Sequence, residues 1–457
     1  MRVIVPPRTS AEFIWRFRAW PAAYSDLPSR GVPRFNSHTA RRFAVQVIAS
    51  MLPVLLGVLP PVHAAQSTTL VVRETAGIRR FAYPVGAEIR LDPPAVAGSR
   101  FRLTEGAVEG GKAIPGQFRT PQEAGGEASL VSLDFEGSFM PFEARSYRVE
   151  YGLDVEAGPE PARGLTVEES TEVFLVSSGP HLVWEVPRSL AGLLRSVRAA
   201  KGEFLRADST GLSFLARDGT VRSLSSTSPG RIAKRGPIAC RLRWDLESVA
   251  GEGRSIRSIV ELEIPRSKSW VRVDWSLADS QGVVRGFGAE VHLRLDGDVA
   301  FADFGADSLV YAALPRGQGA SFRAGLPTLA HRLGGKPFWE ILRGPEGKLE
   351  PYAASGLTGL RNVEGWAHLM DPERCTAAAV ADFAKLTLDR IDVRQDGRCR
   401  IWREHLTEDA SRSTGSGTKS LRFWLHFVDF PPHVGAVTSP QSMAAPLEVK
   451  AASTGEK

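Results

Sequence analysis

The chain has 457 residues, 43% of them hydrophobic, with 57 Lys and Arg against 51 Asp and Glu, which is enough apolar material for a sizeable core in two or three domains. The formal charge of +6 sits at the N-terminus: residues 1–65 hold eight Arg and no Lys against Glu12 and Asp26, and setting them aside leaves 49 basic and 49 acidic residues. A body without net charge argues against nucleic acid or an anionic membrane surface as partner.

In chain order, the first feature is a leader. Phe43 to Val62 contains no charged side chain, Arg41 and Arg42 precede it, and Val62 and Ala64 place small residues before Ala65 and Gln66. This is the order of a secretory signal, so the expectation is cleavage and an exported protein, periplasmic or extracellular. A run of about 20 apolar residues also has the length of a membrane span. Pro53, Pro60 and Pro61 interrupt this one, so no stable membrane anchor is expected.

Beyond the leader the dominant hydrophobic period is two. SIVELEI (258–264), WVRVDWSL (270–277), AEVHLRL (289–295) and LRFWLHF (421–427) alternate apolar and polar residues, the pattern of half-buried strands. Asp218-Gly219, Asp296-Gly297 and Asp396-Gly397 lie between alternating segments and predict hairpins with type I′ turns. One helix is expected from Arg188 to Ala200, where Leu190, Leu193, Leu194 and Val197 would share a face. The βαβ alternation of a parallel sheet is absent. The fold class is therefore mainly β: a small N-terminal β-barrel followed by a large antiparallel β-sandwich. The Pro- and Gly-rich stretch Glu156 to Glu169 reads as a connection. It gives a leader at 1–65, a smaller module at 66–177, a larger one at 178–449 and a disordered tail at 450–457.

Three cysteines are too few for a disulfide scaffold. Cys375 and Cys399 read as lying on neighbouring strands, where an oxidising compartment could bridge them, and the alternative is three small buried hydrophobes. There is no CxxC, HExxH or carboxylate cluster with metal spacing, so no metal and no cofactor is expected.

Four strands carry a chemically rich face. Glu290, His292 and Arg294 share one side of their strand, and Trp366 and His368 share another. Arg398, Arg400, Trp402 and Glu404 form a third such face, and Arg422, Trp424 and His426 a fourth. If these faces converge, Glu290, His292, Trp366, His368, Arg400, Trp402, Trp424 and His426 make a concave sugar-binding surface. Aromatic rings would stack on sugar faces and charged groups would fix hydroxyls or carboxylates. The competing interpretation is the ordinary solvent side of an antiparallel sheet.

Two sets of segments carry a family resemblance. VVRETAGIRRFAYPVGAEIRL, FRLTEGAVEGGKAIPGQFR and VSLDFEGSFMPFEARSYRVEYG resemble the N-terminal RIFT barrel of exo-rhamnogalacturonan lyase-like proteins. SWVRVDWSL, GFGAEVHLRLDG, GWAHLMD and FWLHFVDFPP resemble their central sandwich, of the galactose-mutarotase-like supersandwich type. The resemblance implies a polysaccharide or oligosaccharide partner. In those lyases a C-terminal α/α toroid forms the second wall of the cleft, and no such segment is legible here up to Lys457. The implied protein is thus a carbohydrate-recognition or accessory protein, whose cleft a separate helical toroid protein could complete. An active lyase or hydrolase acting on a pectin-like polysaccharide through His292, His368 or His426, and a structural cell-envelope protein, stand as alternatives.

Overall fold

The computed structural model describes residues 65–451 apart from 108–109, 121–125, 180, 208–210, 225, 227, 252–253, 326–338, 356–362, 386, 406–416 and 430–438. All of the expected leader except Ala65 lies outside the described residues, as do residues 452–457 of the expected tail. The architecture is mainly β. Every strand pairing among the described residues is antiparallel, and the helix described is the five-residue turn Pro440–Ala444.

Two hydrophobic cores organise the body. The smaller lies between a five-stranded sheet and a three-stranded sheet built chiefly from residues 66–152. Alternate residues such as Leu70, Val72, Ile89, Val131, Leu133, Phe135, Tyr147 and Val149 all turn inward. Its edge is completed from the far end of the sequence, where Glu448–Ala451 pairs with Gln66–Arg73. The tail expected from residue 450 is therefore strand through Ala451, because two backbone groups of an edge strand find partners there. The connection read at 156–169 ends earlier than expected. Leu165–Glu169 is a strand, and Leu165 and Val167 pack in the larger core together with Phe174 and Val176.

The larger core fills the space between an eight-stranded and a nine-stranded sheet, with a further five-stranded sheet packed against it. From the eight-stranded sheet, Phe287, Val291, Phe322, Ile391, Cys399 and Ile401 point inward. From the nine-stranded sheet, Val260, Leu262, Val273, Trp275, Leu421, Phe423 and Leu425 meet them. The period of two then forces the intervening residues onto the two outer faces, which point away from each other.

Four local expectations change. The segment Arg188 to Ala200 is not helical: Leu182–Pro187 and Ser196–Ala199 pair as strands around a turn. Its leucines are buried as the helical reading required, but Leu190 (φ 53°) and Gly192 (φ 112°) take left-handed backbone that breaks any helix. Asp218-Gly219 and Asp396-Gly397 do turn hairpins. In both, the glycine has positive φ and the aspartate does not, which is a type I turn closed by a left-handed glycine rather than type I′. Asp296-Gly297 is no hairpin: it carries the chain from Val284–His292 in the eight-stranded sheet to Val299–Gly305 in the nine-stranded one. Finally, Cys375 and Cys399 lie on strands of different sheets, and all three cysteines are buried free thiols. Burial pushes Cys240 and Cys399 up to about 12, so they behave as inert small hydrophobes.

Candidate functional site

The eight residues singled out in the sequence do not converge. Glu290, His292, Arg400 and Trp402 lie on the outer face of the eight-stranded sheet; Trp366, His368, Trp424 and His426 lie on the outer face of the nine-stranded sheet. Strand alternation assigned the right side of each strand, but two sheets packed back to back turn those sides in opposite directions.

On the eight-stranded sheet, cross-strand register assembles three rows. Arg323 faces Arg390, which faces Trp402, which faces Gly288; in the next row come Ser321, Asp392, Arg400 and Glu290. Beyond them Gly319 faces Arg394, and Arg398 faces His292. The rows floor a groove of about 240 Å³, in which Arg323, Arg390, Arg394, Arg398 and Arg400 stand against Glu290, Asp392 and Glu346. Glu346 enters from a turn and takes Arg398 at 3.0 Å and Arg394 at 3.2 Å. Those guanidiniums, Arg398 first by hydrogen bonding, hold its carboxyl below the usual range. Arg390 lies 3.0 Å from Asp392, and His292 Nε2 lies 3.0 Å from Glu290 Oε1.

Trp402 is not the open platform expected from its strand position. It is 3% exposed, with its ring laid on the backbone of the neighbouring strand. A Cβ at Gly288 would come within 2.8 Å of the indole and 2.0 Å of the Ile401 carbonyl oxygen, so only glycine admits this arrangement. Arg400 covers the other side, its guanidinium carbon 4.3 Å from the ring centroid. Burial, and next the charge of Arg390, push Arg400 below the ordinary guanidinium range. Arg323, Arg390, Arg394, Asp392 and Glu346 were missed in the sequence. The first four were legible in principle, since DRIDVR (389–394) and SFR (321–323) alternate polar with apolar residues.

The nine-stranded face is largely closed. Trp366, Trp424, Trp270, Tyr83, Ala377, Ala379 and Met443 form one buried cluster, and His426 is 2% exposed beside Trp270. The helix Pro440–Ala444 lies on it, held by Tyr83 Oη and Arg80, which donate to the Ser442 carbonyl at 2.8 and 2.6 Å. Toward the sheet edge His368 remains partly open. Its Nδ1 lies 2.6 Å from Asp303 Oδ1, and Trp366 meets its ring edge-on at 5.1 Å. Between the small module and this face, a cavity of about 350 Å³ is lined by Tyr83, Trp270 and Trp424. Five of its charged residues pair with one another, Glu263 with Arg241 at 2.6 Å and Arg272 at 3.1 Å, and Asp134 with Lys234 at 2.6 Å, while Arg422, which also lines it, pairs with Asp274. Among the described residues no group of three or more His, Cys, Asp or Glu could hold a metal ion.

No protein-family model matches this chain, and no curated protein matches it. Among solved structures, a glycosyl hydrolase family 38 protein from Enterococcus faecalis superposes with a TM-score of 0.48 at 8% identity, over 85% of this chain and 48% of its own. An alpha-mannosidase from Enterococcus faecalis V583 gives 0.44 at 9% identity, over 85% and 46%. A putative aldose 1-epimerase from Escherichia coli K12 gives 0.31 at 11% identity, over 58% and 100%. The chain thus spans about half the length of the first two, and each likeness is a partial superposition of fold.

Proposed function

We propose that the protein is an exported carbohydrate-recognition protein that holds a glycan on the outer face of the eight-stranded sheet, at Glu290, His292, Arg400 and their neighbours. One observation carries the reading. This face gathers fixed guanidiniums and carboxylates into an open groove on rigid strands, with the His292 imidazole opposite Arg398 at its side, the donor and acceptor set that fixes sugar hydroxyls and charged substituents. The order of basic residues, apolar run and small residues at 41–66 supports export. Mass spectrometry of exported material is expected to find an N-terminus near Ala65 or Gln66; an intact N-terminus retained in membranes would sink the export reading. A glycan-array screen followed by calorimetry on hits tests recognition. Ligands competing for this groove are expected, and a screen without hits counts against it.

A second reading has one observation in its favour. The His368 imidazole, oriented through Nδ1 by Asp303, has the base-and-orienter geometry of a general base. Release of unsaturated sugar from pectin-like polysaccharide, followed by ultraviolet absorbance and abolished by His368→Ala, would favour an active lyase. Activity that arises only on adding a helical partner protein would assign the second cleft wall to that partner.

A further inference from the structure

The nine-stranded sheet is covered over its middle but not at its edge. Its last two strands, Val299–Gly305 and Leu309–Pro315, turn Ala300, Ala302, Phe304, Ala312 and Leu314 into the larger core, so the alternate residues face out. Register then sets Tyr311, Asp303 and His368 side by side in one row, and Phe301 opposite Met370 in the next. Tyr311 is 64% exposed and Phe301 49%. Single exposed rings scattered over a surface need no explanation. These two are diagonal neighbours on adjacent strands, roughly 7–8 Å apart at the backbone, and a carboxylate–imidazole pair lies alongside them. His368 Nδ1 donates to Asp303 Oδ1 at 2.6 Å, so in the neutral ring Nε2 is an acceptor. That nitrogen has no hydrogen bond among the described residues. Two further contacts make the site rigid. The Trp366 indole lies across Gly305, where a Cβ would come within 2.1 Å of Nε1, and Nε1 donates to Glu364 at 2.7 Å. Tyr352, from a strand of the other sheet, donates through Oη to the Tyr311 carbonyl at 2.8 Å.

We propose that this edge is a second sugar site, for a neutral chain, in which Tyr311 and Phe301 stack on sugar faces and His368 Nε2 accepts from a hydroxyl. It is separate from the groove on the eight-stranded sheet, and it uses His368 as an acceptor rather than as a base. Charge decides the class of ligand. The strands Val299–Gly305, Leu309–Pro315 and Trp366–Met370 contain no Arg or Lys, so nothing on them meets the carboxylate of a uronate. Asp303 is engaged by His368 and its side chain is 11% exposed, so it offers no free carboxylate to a cationic ligand. What the edge does offer is two ring faces beside one fixed acceptor. That set matches a sugar ring, apolar on its face and hydroxylated on its rim.

Isothermal titration of the full chain with neutral tetrasaccharides of β-1,4-linked glucose, mannose and xylose, and with a tetragalacturonate, tests this. At least one neutral chain is expected to bind about tenfold more tightly than the uronate. Tyr311→Ala and Phe301→Ala should each weaken that binding about three- to tenfold, the effect of losing one stacked ring. Phe142→Ala, which removes an exposed ring from the small module, should leave it unchanged. Phe301→Ala keeps the test sound should Tyr311→Ala loosen the edge strand. A tetragalacturonate that binds as tightly as the neutral chains overturns the neutral class. Neutral chains that bind, lose affinity in Arg323→Gln and keep it in Tyr311→Ala belong to the groove on the other sheet; that result overturns the second site and leaves the first standing. Absence of binding to all three neutral chains overturns the site outright.

Discussion

The two outer faces of the sandwich begin from the same sequence pattern and end as opposites. Each presents Trp, His and Arg at alternate strand positions. On the nine-stranded sheet, the chain's own C-terminal segment and the small module cover that pattern, so Trp424 and His426 are 3% and 2% exposed. On the eight-stranded sheet nothing among the described residues covers the rows around Asp392 and Arg400, and a groove stays open. The pairing differs with the covering: beside Trp424 the pairs Asp134–Lys234 and Glu263–Arg241 are largely shielded, while in the open groove Arg394 and Arg398 pair with Glu346, a carboxylate that solvent reaches. A polar, aromatic strand face is therefore evidence of a site only once it is known what packs on it.

Two substitutions should break the covered face with the largest effects. Trp424→Ala removes a large side chain from a sealed cluster, and a loss of about 3–5 kcal/mol in unfolding free energy is expected. Chemical denaturation would measure it, and a loss under about 1 kcal/mol would mean that this face is open after all. Lys234→Met strands Asp134, whose side chain is 6% exposed, at the junction of the two cores. Removing one partner of such a pair costs about 3–5 kcal/mol. The same measurement is expected to show it, and near-neutral behaviour would mean that water reaches the junction.

Antiparallel sheets, two hairpin turns and the inward residues of the long strands were legible because a period of two is a local property. The coverings were not. Nothing local in Pro440–Ala444 announces that it will lie on Trp366 and Trp424, or in Glu448–Ala451 that it will pair with Gln66–Arg73 across nearly the whole chain. The failed helix has a similar cause. The spacing of Leu190, Leu193 and Leu194 reports burial, and burial in a tight turn at Leu190 and Gly192 uses the same residues. Part of the candidate groove was visible as Glu290, Arg398 and Arg400, with His292 and Trp402 on the same sheet face. Arg323 and Arg390 complete it through strand order, which sequence periodicity does not encode.

The strand that carries Arg400 and Trp402 outward also turns His405 inward, where its ring stacks on Phe287 at 5.8 Å. Burial, and next Lys419 and Arg403, push this imidazole from 6.5 down to about 4. The folded pKa lies below the unfolded one, so the unfolded state gains the proton first. Stability from this group is full above about 6.5 and falls as pH drops toward about 4. The expected loss across that window is about 1–2 kcal/mol, after discounting for the ring's residual solvent contact. His405→Phe should flatten that part of the stability–pH curve. An unchanged curve would place the acid sensitivity elsewhere.

The smallest effect is expected at Arg400, which the sequence pattern marked as a binding candidate. Arg400→Gln removes a guanidinium stacked on Trp402, an interaction of about 0.5–1 kcal/mol at such sites. It also removes a partly buried cation next to Arg390, whose repulsion already lowers its pKa. The two changes oppose each other, so the unfolding free energy should move by less than about 1 kcal/mol while the groove loses one of its five guanidiniums. Denaturation read by tryptophan fluorescence would report both the stability and the environment of Trp402. If Arg400→Gln instead costs as much as Trp424→Ala, Arg400 is a packing clamp like the side chains beneath the C-terminal helix. The two faces would then differ only in how visibly they are covered, and the open groove would lose its claim to be a binding site.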